Sequence, residues 1–74
     1  MRLPKDPENW TCEHADKAID EARRLFARYE ERIDFTWPQE RQDALYRPYQ
    51  LAREVACNVA RYTSWCAAEA ESLP

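Results

Sequence analysis

Cys12, His14, Cys57 and Cys66 are the side chains of this sequence best suited to bind a metal or attack a substrate. Together they could make a donor set of three cysteines and one histidine, of the kind that holds a structural zinc ion. Their spacing argues against it. No CxxC pair exists to start such a site, and nine residues of helix turn through ~900°, so Cys57 and Cys66 face opposite sides. Cys12 and His14 make a poor nucleophile and base, because residues two apart on a helix diverge by ~200°. His14 is the only histidine, and no serine or carboxylate constellation surrounds it. The expectation is no metal, no cofactor and no catalytic centre. Facing residues of a hairpin whose numbers add to about 70 would set Cys12 near Cys57, where oxidation could link them.

Nucleic-acid binding would fall to the arginines, which make up nine of the 11 basic residues. Arg23, Arg24, Arg28 and Arg32 form a run, but Glu21, Glu30 and Glu31 interrupt it, and Arg41, Arg47, Arg53 and Arg61 alternate with Asp43 and Glu54. With a net charge of -3 there is no dense basic stripe to track a phosphate backbone. The same arginines cancel the field an acidic mimic of nucleic acid would need. Charge pairing on a solvated face is the expectation.

The composition makes the carriers of these residues helices. The 74 residues include no glycine, while 45% are hydrophobic and 34% charged. Such a makeup disfavours tight hairpins and phosphate loops, which need positive φ, and it fits one folded domain spanning 1–74. Residues 1–10, with Pro4 and Pro7, read as an extended arm ending at Trp10. Thr11 is the N-cap of a first helix over 11–33, in which Ala15, Ile19, Ala22, Phe26, Tyr29 and Ile33 recur in steps of four and three. Thr36 and Gln39 form a capping-box pattern, with Pro38 in the first turn of a second helix over 37–70. So short a turn sends that helix back antiparallel. Pro48 removes a backbone donor inside it, which predicts a kink or break near 43–48 or, as an alternative, a short helix at 37–46 followed by a long one from 48 to 70.

The fold class is therefore all-α: an antiparallel helical hairpin with a proline-kinked second helix. Leu45, Ala52, Val59 and Cys66 mark the centre line of that helix, but Leu51, Val55, Tyr62 and Trp65 add a second apolar line that one neighbouring helix cannot cover. Pairing with a second copy into a four-helix bundle, through a seam of Leu51, Val55, Ala56, Val59, Tyr62 and Trp65, would cover it. Domains this small also bury too little surface to be more than marginally stable alone. The aromatic residues are too numerous for so thin a core, and Trp37, Tyr46, Arg47 and Tyr49, around the turn and Pro48, are the expected partner-facing patch.

In profile, over its whole length, the chain resembles the compact glycine-poor helical proteins that phages encode to bind and disable host proteins, such as anti-CRISPR proteins and quorum-sensing anti-activators. In architecture it is similar to the Rop type of RNA-binding hairpin dimer. The first resemblance implies a non-enzymatic, homodimeric inhibitor or adaptor that binds a host or regulatory protein. The second implies a small nucleic-acid-binding regulator, from which the acid-balanced surface departs. With no apolar leader or membrane-length run, and an odd number of cysteines, the expected compartment is the cytoplasm.

Overall fold

Thr11 opens the first helix through a reciprocal cap. The His14 amide donates to Thr11 Oγ1 at 3.4 Å, and the Thr11 amide donates to His14 Nδ1 at 2.9 Å. Two amides that the helix leaves without partners are thereby satisfied, and the imidazole takes the place that glutamate or glutamine holds in the usual motif. The computed structural model describes residues 2–74, which form a 3-10 turn at Pro7–Asn9 and helices α1 (Cys12–Arg32), α2 (Gln39–Thr63) and α3 (Ala67–Glu71). The described residues are all helix and connecting turns, with the two long helices packed against each other and α3 packed against α2.

Small residues bring α1 and α2 together. Ala18, Ile19 and Ala22 of α1 share one core with Tyr49, Ala56 and Ala60 of α2, and Ala15 and Val59 are fully buried as well. Leu25, Phe26, Tyr29 and Ile33 extend the α1 stripe as half-buried residues. The rings of Phe26, Tyr29, Tyr46 and Tyr49 close on one another, with centroids 4.9 Å apart for Phe26–Tyr49, 5.4 Å for Tyr46–Tyr49 and 5.1 Å for Tyr29–Tyr46. The two tyrosine pairs meet edge to face and Phe26 lies tilted against Tyr49, and edge-to-face packing adds to the area each ring buries.

The second helix differs from expectation at three points. It stops at Thr63, not near residue 70, in a Schellman turn: the Ser64 amide donates to the Arg61 carbonyl at 3.3 Å and the Trp65 amide to the Ala60 carbonyl at 3.1 Å. Ser64 and Cys66 both sit at φ 55°, in the left-handed region that glycine would enter more easily. Positive φ thus occurs in a chain without glycine, held there by contacts with the rest of the fold. The Trp65 indole donates to Asp16 Oδ1 of α1 at 3.0 Å, and the chain turns back so that Ala70 and Leu73 are buried over α2. Tyr49 donates its hydroxyl to the Pro74 carbonyl, and Arg53 Nε donates to the Leu73 carbonyl at 3.4 Å.

The second difference is at Pro48, through which α2 runs as one helix, so that neither the break expected near 43–48 nor the alternative of separate helices at 37–46 and 48–70 occurs. Ala44, whose carbonyl loses its donor, is exposed to water, and Tyr46 and Tyr49 on either side of the proline are fixed in the ring cluster. The third is the N-terminus, where Pro38 is the cap residue and makes no side-chain bond. Thr36 turns instead to Asp34, and no Thr36–Gln39 capping box forms.

The returning tail also moves the centre of the core. Leu45, Ala52 and Cys66 are only half-buried, and of the expected centre line Val59 alone is fully buried. The arm is not extended throughout, since Pro7–Asn9 form a 3-10 turn, and the Trp10 indole donates to the Pro4 carbonyl at 2.9 Å while its ring meets Tyr62 edge-on at 5.5 Å.

Candidate functional site

The hairpin turn presents aromatic side chains from a braced backbone. Asp34 Oδ1 accepts from the Thr36 amide at 2.9 Å and from Thr36 Oγ1 at 2.6 Å, and the Trp37 amide donates to the Asp34 carbonyl at 3.1 Å. The bonds from Thr36 hold the Asp34 carboxyl below its ordinary value, since both favour the charged form. From the first turn of α2, Gln42 Nε2 donates to the carbonyls of Trp37 at 2.9 Å and Phe35 at 3.3 Å. Arg41 lies over the Trp37 ring, 4.1 Å from its centroid, a cation–π contact that fixes both groups. Phe35, at the tip of this scaffold, is 76% exposed.

Of the expected partner-facing residues, Trp37 belongs to this tip and is half-buried beside Arg41. Arg47 is exposed on the outer face of α2. Tyr46 is half-buried within the ring cluster. Tyr49 is not available to a partner: it is fully buried beneath the returning tail, and burial pushes its phenol above the ordinary value. Sequence reasoning passed over Phe35, although Asp34 and Thr36, two apart, are the signature of a side-chain-braced turn.

The seam residues divide between two environments. Ala56 and Val59 are fully buried inside the single chain, so they belong to its own core and not to an outer seam. Leu51, Val55, Tyr62 and Trp65 stay exposed. Leu51 and Val55, with Pro48 and Ala52, form one side of an apolar groove of about 410 Å³ whose other side is Ala18, Glu21 and Leu25 of α1 and Leu3 of the arm.

The cysteines are all unpaired. Phe26 meets Tyr49 and Tyr29 meets Tyr46, a register that runs ahead of the one needed to bring Cys12 to Cys57, and Cys57 donates instead to the Ala70 carbonyl at 3.6 Å. Cys66 donates to Asp16 Oδ1 at 3.6 Å. Partial burial, then the neighbouring Glu69 and Asp16 carboxylates, push its thiol up to about 11. Glu69 itself is held below its ordinary value by Arg23, whose guanidinium donates to it at 3.1 Å.

At pH 8 a thiol at about 11 has roughly a hundredfold less thiolate than one at the ordinary 9.0. Iodoacetamide followed by peptide mass spectrometry should therefore label Cys66 far more slowly in the folded protein than in the chain unfolded by urea. Equal rates would contradict the carboxylate cage. Among the described residues no three histidine, cysteine or acidic side chains converge as metal ligands, and no helix is long and apolar enough to cross a membrane.

No protein-family model, curated protein or solved structure matches the chain.

Proposed function

We propose that this chain is a small non-enzymatic protein-binding module, acting as an inhibitor or adaptor, which engages its partner through the hairpin tip. The observation that carries the reading is Phe35, 76% exposed on a turn pinned by Asp34 and Gln42. A large aromatic ring in water gains from being covered, and a backbone already held in one shape loses little entropy when a partner covers it. Trp37 and Arg41 extend the same patch with residue types that anchor protein interfaces. Catalysis fits the geometry less well, because His14 Nδ1 is taken up by the Thr11 amide and the Cys66 thiol is held protonated.

The test is capture from a lysate of the source organism by wild-type protein and by Phe35→Ala. The variant should weaken binding of the captured protein by about thirtyfold, equivalent to about 2 kcal/mol for an interface anchor, with its melting temperature unchanged. Undiminished binding by Phe35→Ala would remove the tip from the interface. Retention of duplex or RNA that falls steeply with rising salt would support a nucleic-acid regulator instead.

A further inference from the structure

The outer face of α2 has a pattern that neither the core nor the tip explains. Pro48, Leu51, Val55, Asn58 and Tyr62 recur in steps of three and four, and all five are exposed. Leu51 is 50% exposed and Tyr62 53%, on the side of the helix opposite Ala56 and Ala60. This is the spacing of a two-helix seam, lying on the surface of a helix whose other apolar face is already occupied. Along one edge of it Glu40, Arg47, Glu54 and Arg61 follow at intervals of seven, alternating in sign, and all four are exposed.

We propose that the occupant of this seam is α2 of a second copy, lying antiparallel about a two-fold axis midway between Gln50 and Leu51. That axis sets Glu40 opposite Arg61 of the second copy and Arg47 opposite Glu54 of the second copy, and symmetry repeats each pair. Sliding the register by one heptad brings Glu54 onto Glu54 of the second copy and Arg47 onto Arg61 of the second copy, which repel. A parallel pair would set the charged edge against the opposite edge of the seam, where Ala52 and Val59 offer no charge. Only one direction and one register therefore pair all four charges with opposite ones. Arg61 already meets Glu71 of its own chain at 3.5 Å, yet remains 64% exposed, and the guanidinium has donors to spare. Pro48, Leu51 and Val55 also line the apolar groove, so the second helix would touch Leu25 of α1 as well.

Sedimentation equilibrium at roughly 100 µM should give twice the chain mass of 8.8 kDa. Leu51→Lys should give single chains with unchanged helicity, since the side chain is half out of the core. Glu54→Arg and Arg47→Glu should each weaken association by about tenfold, through two like-charge contacts. Combining them in one chain, or mixing the two single variants, should restore it. A wild-type protein that sediments as single chains at this concentration overturns the proposal, as does a double variant no tighter than either single one. Phe35 lies outside the seam, so partner capture by Leu51→Lys and self-association by Phe35→Ala separate this inference from the tip reading.

Discussion

Tyr49→Ala should remove a large part of the chain's stability and lower its melting temperature steeply. The ring is fully buried, packs on Phe26 at 4.9 Å and on Tyr46 at 5.4 Å, and its hydroxyl ties α2 to the Pro74 carbonyl. Removing a large buried side chain costs about 3–5 kcal/mol. By the usual scaling of stability with length, a domain of this size holds on the order of 4–11 kcal/mol in total. The loss here falls at the high end, because the cavity opens between α2 and the tail and frees Leu73 as well. Tyr49→Phe keeps the rings and loses one hydrogen bond, a cost of about 1 kcal/mol. Thermal melts monitored by far-ultraviolet circular dichroism separate the two cases. If Tyr49→Ala melts within a few degrees of wild type, the ring cluster is not the centre of this core.

Ala56→Glu should be as damaging, and through unfolding rather than simple dissociation. Ala56 has no exposed surface and belongs to the core cluster that also holds Tyr49, Ala60, Ala70 and Leu73. A longer side chain there forces the packed elements apart at a cost of about 1–3 kcal/mol. Its carboxylate would also lose its water among core residues that are apolar and offer it no positive charge. Together these approach the whole stability of the domain. Ala56→Gly, which adds no bulk, should cost only about 1 kcal/mol in helix propensity. A folded Ala56→Glu chain of unchanged helicity would place Ala56 on a surface, contrary to its position in the core.

The tip and the outer face of α2 are unequally legible in the sequence. Trp37 and Arg47 stand out by residue type, and both are accessible at least in part. Tyr49 has the same residue-type signal and is buried, because type says nothing about which segment lies over a side chain. Phe35 is one of two phenylalanines and sits outside any periodic stripe, so only the bracing of its turn distinguishes it.

Local preferences are enough to specify the two long helices, the Thr11 cap, the α1 stripe from Ala15 onward and the reversal between the helices. Each of these arises from a periodicity or a capping preference acting over a few residues. The end of α2 at Thr63 and the return of the tail have no such local origin. Placing Ser64 and Cys66 at φ 55° costs about 1–2 kcal/mol each, and no local residue preference favours it. The offsetting contacts are long-range: the Trp65–Asp16 bond, the burial of Ala70 and Leu73, and the tie from Tyr49 to Pro74. A wide apolar arc on α2 signals that something must cover it. Which side the chain covers itself, and which it leaves open, depends on contacts between residues far apart in sequence, and these exist only once the chain has folded.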